Sequence, residues 1–203
     1  MSITRPLGEK WYVNVNANYN YSDNNFEMEV GNFTYDPLKP NPTGREIIRV
    51  RRFHDAFSAF LGNALLGYAN EEKGLSIRMG AYVTAVYKEF QHGIRVNFVP
   101  IGEADFRNQD TYLKLDIEKK FSDKWSFFYS GVGGYSRQQS RDSTQNIYDW
   151  YGNVVNDINP DISRSTGAEL FARPSISDMY NYNTVQRIGS TLQLPYNFSL
   201  SLN

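Results

Sequence analysis

The sequence predicts an all-β fold, an antiparallel up-and-down transmembrane β-barrel, and three observations carry that expectation. Apolar and polar residues alternate with period two over long runs. Several of those runs carry aromatic residues at the ends of one face. The connections between runs alternate between short turns and long polar loops.

Residues 11–22, WYVNVNANYNYS, set the pattern. Trp11, Val13, Val15, Ala17, Tyr19 and Tyr21 share one face of an extended strand, and Tyr12, Asn14, Asn16, Asn18, Asn20 and Ser22 share the other. Residues 75–90 repeat it, with Leu75, Ile77, Met79, Ala81, Val83, Ala85 and Tyr87 interleaved with Ser76, Arg78, Gly80, Tyr82, Thr84, Val86 and Lys88. Residues 111–121 set Leu113, Leu115 and Ile117 against Lys114, Asp116 and Glu118. Residues 125–136 gather Trp125, Phe127, Tyr129, Gly131, Gly133 and Tyr135 on one side. Residues 185–194 alternate again, and 198–203 open a further strand after Pro195, which suits a turn better than a strand interior.

Strand length separates a membrane wall from a soluble sheet. Soluble strands average about 5–6 residues, whereas a tilted membrane strand needs about 9–11. From Trp11 to Tyr21, and again from Trp125 to Tyr135, ten steps at about 3.3 Å span roughly 33 Å. Tilted by about 45°, each covers roughly 23 Å, close to the apolar band of about 25 Å between aromatic girdles. The expected girdle residues are Trp11, Tyr19, Tyr21, Tyr87, Trp125, Tyr129 and Tyr135. A soluble β-sandwich or barrel with long strands is the competing reading.

Residues 53–68 fit two patterns. Phe53, Phe57, Phe60, Leu61, Ala64, Leu65 and Tyr68 form a helical stripe. Gly62 and Gly67 each weaken a helix by nearly 1 kcal/mol, so a strand over 57–69 is favoured. With that strand in place, the short connections are 5–10, 70–74, 122–124 and 194–197. The long ones are 23–56, 91–110 and 137–184. This alternation is that of tight periplasmic turns and long extracellular loops, and compact soluble domains seldom carry such loops. Six complete strands and the beginning of a seventh result, whereas barrels of this type close with about 8 or more. The expectation is a single barrel segment, 1–203, belonging to a larger barrel, unless the loops hide strands or several chains assemble.

Composition narrows the function classes. Of 203 residues, 21 are Lys or Arg and 22 Asp or Glu, with no basic stripe, so a nucleic-acid partner is not expected. Aromatics make up 15% of the chain, which argues against extensive disorder. There is no cysteine, no apolar core after Met1 of the kind a leader needs, and no run of about 18 apolar residues. A membrane reading therefore rests on strands, and implies a mature or partial chain.

No catalytic constellation emerges, and an enzyme, a cofactor or a metal centre is not expected. His54 and His92 are too far apart in sequence for a spaced ligand pair. Asn153, Asp157, Asn159 and Asp161 supply oxygen ligands but lack the regular spacing and distal Glu of a calcium loop. GVGGY (131–135) lies within an alternating strand with no helix after it, so it is not a phosphate loop. Arg49, Arg51 and Arg52 are the sharpest basic cluster, either a solvated strand extension, which is favoured, or a seat for an anionic ligand or lipopolysaccharide phosphate.

The stretches RPLGEKWYVNVNANYNYSDNN, NALLGYANEEKGLSIRMGAYVTAVY, YLKLDIEKKFSDKWSFFYSGVGGYS and STLQLPYNFSLSLN resemble the strand–periplasmic turn–strand units of TonB-dependent receptor barrels, especially those of Bacteroidota. Together they cover about half the chain, and their motifs encode barrel hairpins, not ligand chemistry. The resemblance implies an outer-membrane location, with the bilayer and lipopolysaccharide as surroundings. It also implies uptake of a bulky nutrient such as a siderophore, glycan or peptide. Coupling to a TonB-type energising complex would run through a plug region that this sequence does not carry, and the ligand is not specified. The alternatives are a small structural or passive-pore barrel and a soluble all-β binding or adhesion domain.

Overall fold

The computed structural model describes residues 2–34, 44–90, 102–142, 146, 148–154, 175–194 and 199–202. The fold is all-β and antiparallel, with no helix among the described residues. Ten strands form in chain order: β1 (Ser2–Pro6), β2 (Trp11–Ser22), β3 (Glu27–Thr34), β4 (Gly44–Arg51), β5 (Phe57–Asn70), β6 (Leu75–Glu89), β7 (Asp105–Lys120), β8 (Trp125–Asp142), β9 (Ser175–Gln193) and β10 (Ser199–Leu202). Eight make one sheet in the order β1-β2-β5-β6-β7-β8-β9-β10, and β3 and β4 form a separate hairpin.

Two of the short turns have a local cause. At 70–74, the Asn70 side chain accepts from the Lys73 amide at 3.1 Å, and Gly74 takes φ +56°, a left-handed conformation that costs glycine little. At 122–124, Ser122 Oγ accepts from the amides of Lys124 and Trp125 at 3.3 and 3.2 Å. Such side-chain acceptors satisfy backbone donors that leave the ladder.

Several expected boundaries move outward. The turn expected over 5–10 is shorter, because Ser2–Pro6 pairs with Tyr12–Asn16 as β1. The connection 23–56 is not structureless but contains the β3–β4 hairpin. The strand expected from 111 begins at Asp105, the one expected to end at 136 runs to Asp142, and the one expected from 185 begins at Ser175. The added stretches, such as FRNQD and RQQSRD, are polar on both faces. Apolar alternation could not mark them, and the backbone ladder holds them in register. Residues 57–70 are a strand, as favoured, and the helical stripe over 53–68 does not form.

Register sorts the sheet into two faces. Trp11, Val13, Val15 and Ala17 pair with Tyr68, Leu66, Ala64 and Gly62. These pair with Ile77, Met79, Ala81 and Val83, and these in turn with Ile117, Leu115, Leu113 and Thr111. The row continues through Tyr129, Gly131, Gly133 and Tyr135 to β9. The opposite face carries Asn14, Asn16, Asn63, Arg78, Thr84, Asp110, Lys114, Asp116 and Ser130.

The apolar face of the sheet is exposed. Leu113 is 64% exposed, whereas the Asp116 side chain on the other face of β7 is 14% exposed. Val15, Tyr19, Tyr21, Met79 and Val83 are exposed as well. Among the described residues, the buried apolar side chains are Val30, Val50, Ala104 and Trp150, none of them in the eight-stranded sheet. Val30 and Val50 of the hairpin pack with Trp150 of the β8–β9 connection, flanked by Met28 and Ile48. The compact apolar core therefore sits among the connections at one end of the sheet.

Candidate functional site

The apolar face is the first candidate surface. Across the band between the Trp11 and Tyr19 rows, from β2 to β9, it carries no charged side chain. All seven residues expected as a girdle, Trp11, Tyr19, Tyr21, Tyr87, Trp125, Tyr129 and Tyr135, lie on this face. Their heights differ. Trp11 stands at one end against Tyr68 (ring centroids 4.8 Å apart), and Tyr19, Tyr21 and Tyr87 stand at the other. Tyr135 falls on the row of Ala17 and pairs with Tyr182 at 5.2 Å. Trp125 stacks on Phe121 at 4.2 Å and donates from its indole N–H to Ser190 Oγ at 2.9 Å.

Sequence reasoning missed Phe60, Tyr68, Tyr180 and Tyr182 on this same face. Phe60 and Tyr68 were hidden inside the helical stripe. Tyr180 and Tyr182 lie in a segment read as loop, although their period-two spacing was a usable signal.

The polar face is a connected ionic and amide lattice. Arg78 donates to Glu118 at 2.9 Å and lies 3.9 Å from Asp116. Asp116 also receives Lys114 at 3.0 Å and the Ser130 hydroxyl at 2.7 Å. Asp110 accepts from Thr84 and Asn108, both at 2.7 Å. Asp116 and Asp110 each have two or more donors, so neither presents a free base to a substrate. Tyr12 and Tyr112 lie on this face too, each over a glycine on the neighbouring strand.

A third cluster closes the end of the sheet where the connections gather. Asp55 accepts from Arg52 at 3.0 Å and Lys88 at 2.6 Å, and it is buried. Glu89 accepts from the Ala56 amide at 2.9 Å and the Tyr87 hydroxyl at 3.0 Å. His54 lies 3.6 Å from Glu89, with its other ring nitrogen 3.0 Å from the Ala104 carbonyl. These contacts tie the β3–β4 hairpin to the ends of β6 and β7, and give His54 a structural setting.

The Arg49, Arg51 and Arg52 cluster does not act as one site. Arg49 and Arg51 stand opposite Glu29 and Glu27 on the hairpin, and Arg52 turns away to Asp55. Of the oxygen cluster, Asn153 donates to Asp149 at 3.0 Å, whereas Asp157, Asn159 and Asp161 lie outside the described residues, as does His92. Burial acts to raise the Asp149 carboxyl, but hydrogen bonds from Asn153, Tyr151 and Gly152 outweigh it and hold the group below its ordinary value. Among the described residues, no group of His, Asp and Glu gathers as a metal-ligand set.

No family model, no curated protein and no solved structure matches this chain.

Proposed function

We propose that this chain forms part of the wall of an outer-membrane β-barrel, its apolar face against lipid and its polar face toward a water-filled lumen. The inverted exposure of the sheet supports this reading most directly. Fully exposing a Leu- or Phe-sized side chain forgoes about 1.5–3 kcal/mol. Leaving Val15, Phe60, Met79, Val83, Leu113 and Ile188 in water together would rival the roughly 5–15 kcal/mol stability of a whole domain. The face needs an apolar covering, and a band that ends in Trp and Tyr and is uncharged from β2 to β9, with Arg5 on the edge strand β1, is matched to a bilayer.

The sheet has two edges. β1 covers only Tyr12–Asn16 of β2, and β10 only Ser190–Gln193 of β9. Unpaired backbone groups are not tolerated in hydrocarbon, so in a membrane these edges are completed by further β-strands. The polar lumen lattice, the short turns at one end and the packed connections at the other fit a receptor of the TonB-dependent type. Such a receptor would pass a bulky nutrient through the barrel.

The test is reconstitution. The protein should float with lipid vesicles after density centrifugation, resist extraction at alkaline pH and run faster on gels unheated than boiled. A monodisperse species in detergent-free buffer, with Trp11 and Trp125 fluorescence insensitive to lipid, would overturn the reading.

A further inference from the structure

The apolar face has a crevice where the uncharged band ends. Tyr19, Phe60, Ala85, Tyr87, Arg107 and Gln109 line about 420 Å³ of it. Ala85 is the low point between larger neighbours, and register places Gln109 beside it and Arg107 beside Tyr87. Its volume falls within the roughly 300–1,000 Å³ of small-molecule sites.

The state of Arg107 is the second observation. Its Nε donates to Asp105 at 3.3 Å, and its guanidinium carbon lies 5.2 Å from the centre of the Tyr87 ring. Its two Nη groups make no hydrogen bond to any described residue. The nearby carboxylates already have donors. Asp178 is gripped by both edges of Arg137 at 3.0 and 2.6 Å and by Gln139 and Tyr180. Glu89 is held by Tyr87 and the Ala56 amide. Among the described residues, nothing occupies the Nη edge of Arg107, a planar fork whose geometry suits a phosphate.

Apolar walls with one free guanidinium edge at the water-side end call for an amphiphile with an anionic head. We propose that the crevice seats one phosphate-bearing lipid, with the phosphate on the Nη edge of Arg107 and one acyl chain between Tyr19, Phe60 and Tyr87. This rests on the membrane reading above and adds a specific lipid site to it. Arg107, and not the Arg49–Arg52 group, is then the residue that meets the headgroup.

The protein is reconstituted in phosphatidylcholine bilayers carrying either spin-labelled phosphatidic acid or spin-labelled phosphatidylcholine. The motionally restricted lipid is then read by electron paramagnetic resonance. Phosphatidic acid should be preferred about threefold or more. Arg107→Gln should abolish that preference, Arg107→Lys should lose most of it, and Ala85→Trp should release the restricted lipid by filling the crevice. Lys114→Gln, on the opposite face, should leave the preference unchanged.

A preference that survives Arg107→Gln overturns the proposal, as does complete release of the lipid by low-millimolar inorganic phosphate, which would mean an anion site without a seated chain. Flotation of each sample separates the two readings. Protein that floats without lipid preference overturns the site alone, and protein that does not float overturns the membrane reading and the site with it.

Discussion

Tyr12 lies over Gly67, its antiparallel partner on β5, and Tyr112 lies over Gly134 of β8 in the same way. A Cβ at either glycine would fall inside the ring, so each pair works only as aromatic and glycine together. Both pairs sit on the polar face, where they fill the wall without an aliphatic core.

These pairs predict a graded response to adding one methyl group. Gly67→Ala and Gly134→Ala should each cost about 1–3 kcal/mol by overpacking against a ring. Gly133→Ala, whose Cβ would meet open space, should be neutral or stabilise by a few tenths. Urea unfolding in micelles measures all three. Equal effects at Gly133 and Gly134 would mean that the tyrosine does not occupy the space above Gly134.

The two faces should differ in their tolerance of charge. Leu113→Lys places an ammonium in the uncharged band and should cost about 2–4 kcal/mol of stability in a bilayer. Asn16→Lys, on the opposite face, should change stability by no more than about 0.5 kcal/mol. Folding into vesicles at several urea concentrations gives both values. A larger penalty at Asn16 than at Leu113 would reverse the assignment of lipid and lumen.

Asp55 holds two cations at the rim. Asp55→Ala leaves Arg52 and Lys88 partly buried without their anion and should destabilise the β3–β4 hairpin by about 3–5 kcal/mol. The strands of the sheet should stay protected, because their ladders are independent of that carboxylate. Hydrogen exchange resolves this, with faster exchange expected at Met28 and Ile48 and unchanged exchange at Leu115. Loss of protection across the whole sheet would show that the rim is part of the same cooperative unit.

Acid should loosen the turn at 148–154. The folded-state carboxyl of Asp149 lies below its ordinary value, so its contribution is present above the unfolded pKa and is lost as pH falls through the folded one. Limited proteolysis should therefore cut near Tyr151 more readily at low pH than at neutral pH. Asp149→Ala should show the faster cutting at both. A cutting rate independent of pH in the wild type, at matched protease activity, would refute this role.

How much was legible follows from what period-two patterning encodes. Within β2, and less strictly within β6 and the first half of β8, apolar and polar side chains alternate, so strand and face could be read before the pairing was known. β5 was ambiguous because small and apolar residues occupy both faces, and the neighbours β2 and β6 decide its conformation. The polar extensions of β7 and β8 carried little hydrophobic signal, and that of β9 only the period-two spacing of Tyr180 and Tyr182.

The sequence by itself determined the long amphipathic strands, their apolar face and the short turns, because side-chain alternation and turn chemistry are local. Only the tertiary structure decided the register, and with it the pairing of Tyr112 with Gly134 and of Arg78 with Glu118. It also decided the packing of Trp150 against Val30 and Val50, and the placing of Arg107 over Tyr87 beside the crevice. The physical reason is distance along the chain: those partners meet only when strands far apart in sequence align, and no local preference specifies which residue will face which.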